Sequence, residues 1–174
     1  MSEKTTARHG GNIYAAMRGN GGGFADFLDY SANINPLGLS ASVRQALIDS
    51  LDRVTGYPDP DAVELREAIA GCYGIPVNWI ETGNGAVELI YLLCRTLSPQ
   101  RVVVPAPTFS EYESAAQAAG VPCDQVPLDR QAGFVPDVAG LARQVRPGDL
   151  WFLCNPNNPT GDALERTQRE TLVE

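Results

Sequence analysis

Downstream of residue 80, stretches of helical character alternate with short apolar runs, and only a few residues separate them. The apolar helix "AVELIYLLCRTL" leads to "RVVVP", which reads as a buried strand. A helix over "SEYESAAQAA" follows and stops at Gly120. "VPCDQVPL" reads as a further strand, placed near a sheet edge by its prolines. A helix from about Asp137 to Val145, the strand "LWFLC" and a last helix from about Ala163 complete the series. This order predicts parallel βαβ units, hence an α/β fold with helices on both faces of a mostly parallel sheet.

The first 80 residues are less regular. "RGNGGGF" is the one glycine cluster and reads as a flexible turn. Ser40 is placed to cap a helix reaching about Val54, with Val43, Leu47 and Leu51 at helical spacing. Asp61 and Glu64 have the spacing of a capping box for a helix ending near Tyr73. "WIET" reads as a short extended piece that leads into "GNG".

Composition removes several classes of function. A chain of 174 residues can bury roughly 70% of its unfolded surface without a metal or disulfide staple. A net charge of −8, with no cluster of basic residues, argues against a nucleic-acid partner. Cys72, Cys94, Cys123 and Cys154 form no CxxC pair, and His9 is the only histidine, so no metal site is expected. The thiols are expected to be reduced and mostly buried. No run is long enough for a membrane span and no signal core opens the chain, so a soluble, cytoplasmic protein is expected.

Ligands of parallel sheets sit beyond the carboxyl ends of the strands, and three loops are expected there. "TGNGAVE" opens a helix whose first-turn N–H groups suit a phosphate, or is simply an ordinary helix start. Its glycine spacing fits a dinucleotide fingerprint poorly, because Glu88 stands where glycine is needed. In "PTFSEY", Phe109 either stacks on a planar ligand or caps the core. "NPNNPTG" is more telling: Pro156 and Pro159 stiffen a loop that carries three amides, more than a structural turn requires.

In order and spacing, "YPDP", "GNGAVELI", "PTFSEY" and "NPNNPTG" resemble the fold-type I pyridoxal-phosphate (PLP) enzymes of the histidinol-phosphate aminotransferase branch. "HGGNIYAAMR" followed by "LDYSANINPLGLS" looks more like the L-threonine-O-3-phosphate decarboxylases of cobalamin biosynthesis. The resemblance implies that Gly85, Ala86 and Val87 hold the cofactor phosphate through backbone N–H groups. Phe109 stacks on the pyridine ring, and Asn158 bonds its 3-hydroxyl oxygen. Tyr57 reaches the cofactor phosphate of the neighbouring subunit in a homodimer. His9, Gly10, Gly11 and Asn33 bind the substrate, a small phosphorylated amino acid; for His9 a solvated tail position competes with that role. The same likeness implies an N-terminal segment over residues 1–55 and the first part of a large PLP-binding domain over 56–174.

That chemistry needs a lysine to bond the cofactor covalently and an acid to pair with the pyridinium nitrogen. In relatives both follow "NPNNPTG". Twelve of the 13 basic residues here are arginine and the only lysine is Lys4, in a tail of the wrong type, so no catalytic residue is assigned. The expectation is an N-terminal half of a longer decarboxylase, inactive alone. Two alternatives stay open: an aminotransferase of a phosphorylated substrate, and a non-catalytic cofactor-binding fragment.

Overall fold

The computed structural model describes residues 10–171, and the chain divides into two compact units, Met1–Ile80 and Glu81–Glu174. In the first unit, α1 (Ile13–Asn20) starts at Asn12, whose side-chain oxygen accepts the Ala15 N–H at 3.0 Å. Helix α2 (Ala41–Asp49) starts at Ser40 as expected, with the serine hydroxyl accepting from Val43 N. It ends earlier than expected: Leu51–Thr55 tightens into a 3-10 turn.

Helix α3 (Val63–Tyr73) has the expected end but a different cap. The Asp61–Glu64 box does not form. Instead the Asp59 carboxylate accepts from Asp61 N (3.0 Å) and Val63 N (2.9 Å), bonds that hold its pKa below the ordinary aspartate value. "WIET" is no paired strand either. Val77–Trp79 forms a 3-10 turn, and the extended Ile80 after it has no ladder. Apolar residues of this unit are largely uncovered: Ile80 is the only buried one among its described residues, while Val43, Leu47 and Leu51 are exposed.

The second unit carries the alternating pattern. Helix α4 (Gly85–Leu97) is followed by β1 (Arg101–Ala106), α5 (Glu111–Ala118), β2 (Cys123–Pro127), α6 (Val138–Ala142), β3 (Asp149–Trp151) and α7 (Arg166–Thr171). The three strands are parallel in the order β2-β1-β3, with Val102 opposite Cys123 and Val103 opposite Trp151. The proline-bearing strand lies at the edge, as its sequence demands. β3 is shorter than "LWFLC", although Phe152 N still donates to Val103 O at 3.1 Å. α6 is likewise shorter than its sequence pattern suggests, and α7 starts later, at Arg166.

Alternation along β1 divides its valines between two faces. Val102 and Val104 join Ile90 and Cys94 of α4, Ala115 and Ala116 of α5, and Phe152 in one closed cluster. Val103, equally buried, faces the other side. Small alanines on α5 let that helix lie close to the sheet. The thiols are less buried than expected: Cys94 is buried, Cys123 and Cys154 are half-buried, and Cys72 is exposed on α3. Among the described residues, no helix is long and apolar enough to cross a membrane.

Candidate functional site

Strands β1 and β3 run in the same direction, so the turns that follow them leave from one rim. Helix α4 reaches that rim from the opposite sense. It is joined to the amino end of β1 by residues 98–100 and packs on β1 through the shared core, so its first turn lies towards the strand's carboxyl end. A bond between Tyr91 of α4 and Glu111 in the first turn of α5 (Oη to Oε2, 3.1 Å) ties these two helices together there. "TGNGAVE" therefore does not follow a paired strand; helix direction, not strand direction, carries it to the rim.

The turns after β1 and β3 are bonded to each other. Thr108 Oγ1 donates to Asn157 Oδ1 at 2.9 Å, and Asn157 Nδ2 donates to Pro107 O at 3.0 Å and to Thr160 Oγ1 at 2.8 Å. Within the loop, Asn157 O accepts from Gly161 N and Asn157 N donates to Asp162 O, each at 2.7 Å. Asn155 Oδ1 accepts from Leu164 N at 2.7 Å. Asn155 and Asn157 thus commit their side chains to the scaffold, whereas the Asn158 amide makes no hydrogen bond within the described chain. That leaves one half-buried amide at the rim available to a ligand.

Phe109 opens the turn into α5, half-buried against the core cluster and edge-on to Tyr112, with ring centroids 5.7 Å apart. A hollow of about 150 Å³ beside it is lined by Ala106, Pro107, Thr108 and Ser110, among others. At the start of α4, Gly85 has φ +78°, a left-handed conformation in which a side chain is strained. Its N–H donates to Gly83 O at 2.8 Å. Ala86 and Val87 follow as exposed first-turn residues, whose N–H groups have no carbonyl one turn back. This helix end already attracts an anion: the Glu88 carboxylate takes the N–H of Asn84 at 2.6 Å and its side-chain amide at 3.2 Å.

The remaining site residues belong to the first unit or to no described part. His9 lies outside the described residues. Gly10 and Gly11 meet the "SANIN" stretch: Gly11 N donates to Ser31 Oγ at 2.8 Å, and Ser31 is itself bonded to Asp29. A Cβ on Gly10 would collide with the Ser31 carbonyl, so only glycine fits there. This brings the glycine pair within two residues of Asn33. Tyr57 is fully exposed.

Sequence reasoning missed Asn157, Thr108 and Cys154 as the loop's fasteners. Asn157→Ala removes three side-chain bonds and is expected to cost about 1–3 kcal/mol in denaturant unfolding. An unchanged midpoint would show the brace to be dispensable.

A parallel sheet with three polar turns gathered at one rim defines a class of cofactor-binding α/β domain, and comparison gives it a family. Residues 25–174 match the model of the aminotransferase class I and II family, and the chain belongs to that family, whose enzymes depend on PLP. The chain is 39% identical to the threonine-phosphate decarboxylase of Salmonella typhimurium, a match covering 95% of this chain and 46% of that relative. It is 41% identical to the histidinol-phosphate aminotransferase of Moorella thermoacetica, over 80% of this chain and 36% of that relative. The crystal structure of a putative histidinol-phosphate aminotransferase from Erwinia carotovora atroseptica superimposes with a TM-score of 0.72 at 25% identity, covering 81% of this chain and 42% of that one. The chain therefore spans less than half the length of these relatives, and its architecture is that of part of the PLP-dependent aminotransferase fold.

Proposed function

We propose that these residues form the phosphate- and ring-binding part of a PLP-dependent decarboxylase acting on L-threonine O-3-phosphate, giving aminopropanol phosphate for cobalamin biosynthesis. The observation that carries this reading is the division of labour in "NPNNPTG", where two asparagines brace the loop and the third presents a free amide. When bound, PLP supplies an electron sink for the bond broken at the substrate α-carbon.

The chain's own residues hold and orient. Ala86 and Val87 offer N–H groups to the cofactor phosphate, with the left-handed Gly85 setting the start of the helix. Phe109 lies flat against the ring and Asn158 bonds the 3-hydroxyl oxygen. Tyr57, exposed on its own subunit, reaches the phosphate bound by a second copy in a homodimer. Gly10, Gly11 and Asn33, with His9, take the phosphate end of the substrate. Contacts to that remote group fix which α-carbon bond stands perpendicular to the ring, and so which bond breaks.

The cofactor part is tested by titrating this chain with PLP and with pyridoxal, which lacks the phosphate. PLP is expected to bind at least about 10-fold tighter, and Asn158→Ala to weaken PLP about 10-fold. Equal affinity for the two ligands rules out the phosphate cradle. The higher identity to a histidinol-phosphate aminotransferase favours a second reading, transamination of a phosphorylated substrate. Carbon dioxide release from threonine phosphate by a form that spans the relatives' full length supports the first reading; stoichiometric exchange with a keto acid supports the second.

A further inference from the structure

Two hydrogen bonds converge on the sulfur of Cys154, just past the end of β3. Its S–H donates to Pro156 O at 3.3 Å, and the sulfur accepts the backbone N–H of Asn158 at 3.4 Å. The Tyr112 phenol lies near this thiol. A thiol offers one donor and weak acceptor capacity on sulfur, and here both are used. Tyr112 in turn lies flat on Phe152, with centroids 4.8 Å apart and planes 10° from parallel. It meets Phe109 edge-on at 86°.

We infer that Cys154 is a positioning residue, which fastens the Asn158 backbone and so sets the direction of the Asn158 amide. The inference rests on the PLP-binding reading above for its consequence, though not for its geometry. Asn158 makes no side-chain bond of its own in the described chain, so its backbone alone aims it, and that backbone is fastened to the sulfur. Tyr112, wedged between Phe152 and Phe109, joins the Phe109 ring to the core cluster. A displaced Asn158 weakens recognition of the ring hydroxyl and leaves the helix end that takes phosphate untouched.

The test uses this chain, isotope-labelled, with PLP and inorganic phosphate as separate probes. In Cys154→Ala, amide exchange at Asn158 is expected to quicken about 10-fold while Val102 and Val104 stay protected. PLP affinity is expected to fall about 10-fold and phosphate affinity to stay the same. Combined with Asn158→Ala, the cysteine change is expected to add nothing further. Cys154→Ser, which keeps a donor and an acceptor, is expected to restore most of the loss. Cys154→Val, which keeps the volume and removes both hydrogen-bonding functions, is expected to act as Cys154→Ala does and carries the test if that variant does not fold.

Unchanged Asn158 exchange overturns the inference, and so does a PLP loss that simply adds to that of Asn158→Ala. If the unaltered chain binds no PLP, the proposed function fails, and the exchange arm still decides whether Cys154 positions Asn158.

Discussion

Mixed with PLP and then reduced with borohydride, this chain is expected to carry no pyridoxyl group at the rim. Added threonine phosphate is expected to release no more carbon dioxide than with PLP alone. A covalent bond to the cofactor aldehyde needs a primary amine. Among 174 residues the only lysine is Lys4, outside the described residues, and the other 12 basic side chains are arginines. A guanidinium stays protonated in proteins and cannot take the place of a lysine amine. Reversible binding through amides and an aromatic face is thus separated from chemistry. Any label should fall on Lys4 or the terminal amine, in amounts that inorganic phosphate does not reduce. Stoichiometric labelling that phosphate competes away, or release above the PLP control, overturns this expectation. Proton abstraction or decarboxylation on PLP needs a lysine and an acid at the ring nitrogen, so the expected effect is complete loss rather than a slower rate.

What the sequence disclosed, and what it hid, follows from where each signal resides. β1, α4 and α5 were legible because each carries its own pattern: four apolar residues in "RVVVP", and apolar residues at helical spacing in "AVELIYLLC". "WIET" looked equally extended, yet a strand exists only through a neighbour, and Ile80 has none. The cap of α3 was misread because two acids compete for it. Asp59 wins by reaching two N–H groups at once, a signal present in "DPD" as an aspartate bonding its own backbone two residues on. The rim was legible as a set of rigid polar loops. Which asparagine serves the ligand was not, because the partners that occupy Asn157 come from Pro107 and Thr108, about 50 residues earlier. Cys154 was read only as a reduced thiol, since nothing local marks a sulfur as a loop fastener.

Arg101→Ala is expected to lower the melting temperature of the second unit by on the order of 10 °C, more than any change at the rim. This arginine joins all three strands at the end of the sheet opposite the candidate site. Its guanidinium grips Asp149 of β3 with two bonds, Nε to Oδ1 at 2.7 Å and Nη2 to Oδ2 at 2.8 Å. A third reaches Asp124 of β2 at 2.8 Å, and a fourth the Gln144 carbonyl at 3.1 Å. The Asp149 side chain is only 3% exposed and also accepts from Arg146 N and Trp151 Nε1. Removing the arginine leaves that carboxylate buried without its counter-charge, the costly way to break such a pair. The same contacts, the Arg101 hydrogen bonds foremost, hold the Asp149 carboxyl well below its ordinary value of 3.8. A pKa lower in the folded state means stability that is fully present above about pH 4 and lost as pH falls further. Asp149→Asn should therefore destabilise the protein at pH 7 and flatten its acid limb, because the neutral amide has no proton to take up. Trp151 bonds to this carboxylate, so its fluorescence follows the transition directly. If Asp149→Asn leaves the acid limb as steep as before, Asp149 does not carry the acid sensitivity of the sheet.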